Sequence, residues 1–449
     1  MIKYLSAFLF LTATFAWADD SFLKSVKRME WDDLKVVWIE DDKFPNFTAS
    51  VYIQDGALGD SFPGVTQSMF DQLTSGTSKE GQRELAEFFD FYGANLKHTV
   101  THEYSVFTVQ ALTKDINPVM GKVCELFKDA QFPESELQSY VSRAKSHLKN
   151  LVTSHSNLAD RIFRKISLEN TPYAQPAEGT LESYGKLSSS ILKERLQEIK
   201  RAKKVLYIAG PKDVTGMEKT IAKCGWKNET ALKRHELKRA TGQSQIYLIP
   251  VPGANQAQIR IGRFMIRDEI GHKYDQFQFL AGFMGGSFTS KLVQELRVKR
   301  GLTYSAGAYV SIQRDYGRAG IITFSKTETT SEAIGIIRDV FGEVSNGKIT
   351  PKEFSHQQGH EIGSYAFGFE EISAFIGQIM LYDHQGRNLS ELVSFPERVA
   401  KMTPQELAES TLEVFPWEKQ TVVVVGDKSL EKTLSRIRPV RVLNYQDFL

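Results

Sequence analysis

Apolar residues recur along this chain with two different periods, and the switches between them mark out the elements. Leu34-Lys35-Val36-Val37-Trp38-Ile39 is a dense apolar run, and Ala49, Val51 and Ile53 then alternate on one face, so two strands are predicted. Over residues 116–130 the apolar positions return every three or four residues, which predicts a helix; Cys124 follows Met120 by one turn. Ile246-Tyr247-Leu248-Ile249 and Gln258-Ile259-Arg260-Ile261 open a second set of strands. Leu292, Val293 and Leu296 give a later helix one apolar stripe. Lys299 and Arg300 fall in its last turn, where cations complement the helix C-terminus, and Gly301 is placed to end it in a left-handed conformation.

The order of elements repeats. Phe132-Pro133-Glu134-Ser135-Glu136-Leu137 lines up with Ile349-Thr350-Pro351-Lys352-Glu353-Phe354, each a helix start with proline and acidic residues in the first turn. At the same offset, Phe107 of Val106-Phe107-Thr108-Val109 falls on Phe324 of Ile322-Thr323-Phe324. One offset shared by two elements indicates an internal duplication. The halves are predicted at residues 19–226 and 244–449, joined by a polar linker at 227–243. In that linker Lys227, Lys233, Arg234, Lys238 and Arg239 face only Glu229 and Glu236. Strands and helices come in blocks rather than strict alternation, so the fold class is α+β: in each half, one mostly antiparallel sheet with helices on one face.

With 449 residues the chain exceeds one ordinary core, which agrees with two units. The hydrophobic share of 41% and charged share of 24% argue against long disorder. A net charge of +2 gives no electrostatic reason to propose nucleic acid or an anionic membrane as partner. Residues 1–18 read as a secretory signal, with Lys3, an apolar run from Leu5 to Phe15 and the small-residue site Ala16-Trp17-Ala18. A secreted, periplasmic protein without a membrane span is the expectation. Cys124 and Cys224 are the only cysteines. A disulfide is open to them in an oxidising compartment, but the burial pattern leans towards two small unpaired core residues.

The stretch Pro63-Gly64-Val65-Thr66-Gln67-Ser68-Met69-Phe70-Asp71-Gln72-Leu73-Thr74-Ser75-Gly76-Thr77 resembles the metal helix of the pitrilysin/insulinase (M16) peptidases. The shared frame is a glycine near its start and Leu-x-x-Gly-Thr at its end. In that family the middle reads His-x-x-Glu-His: two imidazoles hold zinc and the glutamate is general base. Here those columns carry Gln67, Phe70 and Asp71. An amide and a phenyl ring cannot replace an imidazole and a carboxylate at zinc, and Asp71 alone makes no site. The family's third ligand, a glutamate, should fall near Ser142-Arg143-Ala144-Lys145, where no acid occurs.

The second half resembles the C-terminal half of M16B-type peptidases, through Pro252-Gly253-Ala254-Asn255-Gln256-Ala257, Gly285-Gly286-Ser287-Phe288-Thr289-Ser290-Lys291-Leu292 and Glu295-Leu296-Arg297-Val298-Lys299-Arg300-Gly301-Leu302-Thr303-Tyr304-Ser305. The resemblance implies two homologous halves of the LuxS/MPP-like metallohydrolase fold, facing each other as a clamshell over a peptide. In the family an arginine and a tyrosine at this spacing reach towards the metal, the tyrosine to stabilise the tetrahedral intermediate and the arginine to anchor substrate. They match Arg297 and Tyr304. A guanidinium offers a rigid fork for carbonyl or carboxylate oxygens, and a phenol offers one donor to a developing oxyanion. Gly93-Ala94-Asn95-Leu96 resembles the start of the family's substrate-binding edge strand, which makes Asn95 a substrate-binding candidate; the same residues also suit an ordinary turn entering a strand.

Two other groupings compete for a metal. His98-Thr99-Val100-Thr101-His102 places both imidazoles on one strand face, with Glu103 pointing the other way, and reads as a polar face. His356 and His360 sit one helical turn apart, but Glu361 lies outside the pair, so this is a solvated helix face and not His-Glu-x-x-His. The expectation is therefore a chain that holds no metal, acting as the zinc-free subunit of a heterodimeric M16B-type metallopeptidase. It would lend Arg297 and Tyr304 to a composite site whose zinc sits on a partner. The alternative is a catalytically inactive M16-like scaffold or peptide-binding protein.

Overall fold

The computed structural model describes residues 21–41, 43–211, 216–231, 235–238 and 245–449; the secretory signal expected at 1–18, and Lys233, Arg234 and Arg239 of the expected linker, lie outside them. The first half builds one sheet from β1 (Val26–Trp31), β2 (Leu34–Glu40), β3 (Asn46–Ile53), β4 (Asn95–Val100), β5 (Ser105–Leu112) and β6 (Lys204–Gly210). The second builds another from β7 (Ile246–Pro250), β8 (Gln256–Ile266), β9 (Ala306–Ile312), β10 (Tyr316–Lys326), β11 (Thr421–Gly426) and β12 (Val440–Val442).

The spatial orders are β1-β2-β6-β3-β5-β4 and β12-β7-β11-β8-β10-β9. From β2 and from β7 onward the two orders are the same topology, so the duplication extends from sequence to fold. Pairing is antiparallel except for β2 with β6, β7 with β11 and β7 with β12. The outermost strands differ: β1 enters antiparallel to β2 from the start of the chain, whereas β12 returns parallel to β7 from its end.

Helices cover both faces of each sheet, not one as predicted. Ile116–Asp129 and Ser189–Arg201 pack on the first sheet through Val119, Val123, Leu192 and Leu196. Tyr274–Gly285 and Thr330–Ser345 do the same in the second through Phe277, Leu280, Ile334 and Ile337. The opposite faces are covered by exchange. His155–Ser167, from the first half, lays Leu158, Ile162 and Phe163 against Tyr247, Val423 and Val425 of the second sheet. Ile372–Gln385, from the second half, lays Phe375, Ile376 and Ile379 against Val37, Tyr52 and Tyr207 of the first. Each buried Leu, Ile or Phe there contributes ~1.5–3 kcal/mol, so the halves are locked reciprocally rather than tethered.

Polar contacts reinforce the lock. Glu103, which the alternation of a strand turned away from His98 and His102, instead sits fully buried in a turn after β4. Its carboxylate accepts from Tyr173 (2.9 Å), from the backbone N–H groups of Arg314 (2.8 Å) and Asp315 (3.1 Å), and pairs with His384 (2.7 Å). Burial pushes the Glu103 carboxyl up, but these donors offset it and hold it below the usual carboxylate range.

Cys124 and Cys224 form a disulfide, with Cα atoms 4.1 Å apart, which corrects the lean towards unpaired residues. Both are buried as predicted. The helix Met217–Ala222 brings Cys224 back onto the seam facing Ile116–Asp129, and a sequence separation of 100 leaves no local pattern for that return.

Candidate functional site

Two groups of candidate residues form, one in each half. In the first, the helix Val65–Asp71 begins at Gly64, whose φ of 92° lies in the left-handed region; a side chain there would also strike the backbone of Gly179. Asp60 caps this helix, accepting from the Thr66 N–H at 3.0 Å, and lies 3.4 Å from the Arg195 guanidinium. Burial pushes the Asp60 carboxyl up to about 6 despite that guanidinium.

The metal columns are occupied by something else. Asp71 accepts from His98 Nε2 (2.9 Å) and Gln67 Nε2 (3.1 Å) through one oxygen, and from the Tyr140 hydroxyl (2.8 Å) through the other. Gln67 Nε2 also lies 3.1 Å from His98 Nε2. Burial, with the Asp71 charge second, raises the Tyr140 hydroxyl well above its ordinary value, so it stays a donor. Phe70, in the general-base column, is 3% exposed and stacks on His98 with centroids 5.7 Å apart, packing further against Phe107 and Phe127. The donor set does not fit zinc: the one carboxylate has both oxygens engaged, and a phenyl ring fills the space beside it. Among the described residues, no group of three or more His, Cys, Asp or Glu side chains is placed to hold an ion.

His98 and His102 part company. β4 ends at Val100, so His102 lies in the following turn and its Nε2 bonds the Gln175 carbonyl at 2.7 Å; burial lowers its pKa. The polar strand face is thus one imidazole serving the degenerate metal helix and another serving a loop. Ser142, Arg143, Ala144 and Lys145 lie on Glu134–Asn150, and Tyr140, about one turn earlier, reaches Asp71 instead. Asn95 opens β4, the outer strand of its sheet, and is exposed. His356 and His360 are exposed on Pro351–Ser364.

The second group is open where the first is closed. Leu292 and Leu296 are fully buried and Val293 nearly so, anchoring the stripe predicted for this helix. Its last turns widen: the Lys299 N–H bonds the Gln294 carbonyl five residues back, over Val293–Val298. Gly301, at φ 63°, then turns the chain, and its N–H bonds the Arg297 carbonyl at 3.0 Å. Lys299 and Arg300 are both drawn onto Glu295 (2.5 and 2.6 Å). Arg297 forms no ion pair among the described residues; its guanidinium lies over the rings of Tyr304 (4.4 Å) and Phe288 (5.1 Å).

Tyr304 lies two residues before β9, which begins at Ala306. It stands in a short loop pinned on either side: Thr303 Oγ1 and Thr323 Oγ1 both donate to the Ser305 carbonyl, at 2.9 and 2.8 Å. The ring between them is 73% exposed. Two residues of the motif gain a role from the fold: Phe288 widens the aromatic face and Glu295 removes competing cations from Arg297.

Among the described residues, no hydrogen bond, ion pair or ring contact joins the Arg297–Tyr304 group to the Gln67–Asp71 group. A cavity of about 1200 Å³ runs past Arg28, Lys204 and Trp226 and contains neither group. Chemically, the first group is self-satisfied, and the second presents a cation and a phenol donor to solvent.

Residues 35–181 match the family model described as insulinase (peptidase family M16), and residues 199–359 match the model described as peptidase M16 inactive domain. An uncharacterised zinc protease, YmxG of Bacillus subtilis, is 22% identical over 313 residues, 69% of this chain and 76% of the relative. A non-peptidase homologue of Helicobacter pylori is 21% identical over 403 residues, covering 88% of this chain and 93% of its own. A solved structure from Pseudomonas fluorescens, described as a peptidase M16 inactive domain, superposes with a TM-score of 0.80 at 19% identity, covering 90% and 98% of the two chains.

Proposed function

Because the chain belongs to the M16 family of insulinase-type peptidases, we propose that it is the zinc-free subunit of a two-chain peptidase. In this reading it lends Arg297 and Tyr304 to a composite active site and acts outside the cytoplasm. The observation that supports this most is the asymmetry between the groups. The metal helix has exchanged its ligands for a hydrogen-bonded cluster on Asp71, while Tyr304 stays 73% exposed on a pinned loop with Arg297 against it. A large aromatic residue held in water by flanking anchors suits a group waiting for a second surface.

The roles follow from the side chains. Arg297 would clamp a carbonyl or carboxylate of an extended peptide, and the Tyr304 hydroxyl would donate to oxygen as negative charge develops on it. The metal and the general base belong to the partner, an M16 chain bearing His-x-x-Glu-His. Asn95, exposed at the start of an edge strand, would add backbone contacts to the same substrate.

The second reading, an inactive M16-like scaffold, is favoured by the Helicobacter relative being named a non-peptidase homologue. Co-expression with an M16 chain that carries the zinc motif separates the two. The composite reading expects a stable pair that cleaves an unstructured peptide when neither chain does so alone. A pair equally active with Tyr304→Phe, or no pair at all, leaves the scaffold.

A further inference from the structure

A cavity of about 710 Å³ in the second half lies between β9 and the helices Tyr274–Gly285, Pro351–Ser364 and Ile372–Gln385. It contains neither Arg297 nor Tyr304. The offset that maps Phe132 onto Ile349 maps Ala144 onto Glu361, so a carboxylate stands in the second half where the first has an alanine. Glu361 fits because Gly282 has no side chain; a Cβ there would collide with Glu361 and Gln357. One Glu361 oxygen accepts from Gln357 at 2.7 Å, and among the described residues no cation pairs with this carboxylate. Arg387, at the same cavity, is already committed to Asp275 (3.2 Å) and Glu391 (3.0 Å).

Among the described residues, two further groups lack hydrogen-bond partners. The Gln385 side-chain oxygen and the Tyr274 hydroxyl are buried at this cavity without a hydrogen bond, and both residues are 5% exposed. Buried polar atoms left unsatisfied are rare and costly, so their clustering marks a place that a polar ligand completes. The strand supplies the rest. Six consecutive residues, 308 to 313, line the cavity; since neighbouring side chains point opposite ways, the backbone edge of β9 itself borders it. β9 ends its sheet, and the Gln385 amide donates to the outward Ile312 carbonyl at 2.8 Å. By alternation, Val310 turns its own N–H and C=O the same way.

We propose that this cavity binds a lysine or arginine side chain of an extended peptide lying along β9, with Glu361 as its counter-ion and Gln385 and Tyr274 completing the hydrogen bonds. Burial pushes the Glu361 carboxyl up, and the neighbouring His360 imidazole and the Gln357 hydrogen bond offset this only in part. The proposal does not depend on the pairing of Arg297 and Tyr304 with another chain.

The test is calorimetric titration of the purified full chain with a short capped peptide of alternating threonine and valine carrying one central lysine. The same peptide with norleucine in place of lysine should bind about tenfold more weakly, since a charge-assisted hydrogen bond is lost. Glu361→Gln should abolish that preference by weakening only the lysine peptide. Equal affinity for the two peptides on the native chain overturns the proposal without any variant, as does a lysine preference that survives in Glu361→Gln. n-Butylamine binding as tightly as the peptide would contradict the role of the strand edge.

Discussion

The helix Val65–Asp71 and the wide turn at Val293–Val298 present the two chemical faces of this molecule, and they have been treated in opposite ways. In the first, each polar side chain at a metal column finds a partner inside its own half, and the remaining column is apolar core. In the second, neighbouring cations are tied to Glu295, and Tyr304 faces solvent with the half-buried Arg297 stacked against it. The contrast separates residues kept for stability from residues kept for chemistry. Substitutions in the first group should register in folding, and those in the second in turnover.

The sharpest break of that contrast is Phe70→Ala. Removing a buried ring from the cluster with His98, Phe107 and Phe127 should cost about 3–5 kcal/mol in denaturant unfolding, whereas Tyr304→Ala should stay within about 0.5 kcal/mol of the native chain. Comparable losses for both would erase the distinction.

Asp60 extends the comparison to pH. Its carboxyl is held at about 6 against an ordinary 3.8, so folding favours the protonated form. The stabilisation is complete below about pH 4 and is lost as pH rises through about 6. Between those limits the native chain should lose on the order of 3 kcal/mol relative to Asp60→Asn, measured as paired unfolding curves. A difference that does not change with pH would show that burial does not set this group.

On the other face, Tyr304→Phe should lower turnover of a reconstituted pair roughly 100-fold without changing the unfolding midpoint. Arg297→Lys should do less, about tenfold and mostly in KM, because an ammonium lacks the two-pronged geometry of the guanidinium. A stability loss from either would move these residues to the structural side.

Much of this was legible in the chain. The shared offset of Phe107 with Phe324 and Phe132 with Ile349 predicted the repeat that the strand orders display. The loss of ligands at Gln67, Phe70 and Asp71 needed only residue types, and the stop at Gly301 needed only its place after Lys299 and Arg300. What escaped was long-range. The helix exchange left a trace in β11, where Val422 to Val425 form an unbroken apolar run buried on both faces, but nothing local says which helix covers which face. Glu103 and His384 meet across 281 residues, and Cys124 and Cys224 across 100. Strand period places His98 on a face, and only packing shows that its ring stacks on Phe70 and bonds Asp71.

The most direct measurement is zinc content and peptide hydrolysis of the purified chain after equilibration with zinc, alone and with a partner that carries the inverted motif. The account predicts no stoichiometric zinc and no cleavage from the chain alone, and activity only from the pair. Tightly held zinc on the isolated chain, with hydrolysis to match, would contradict it.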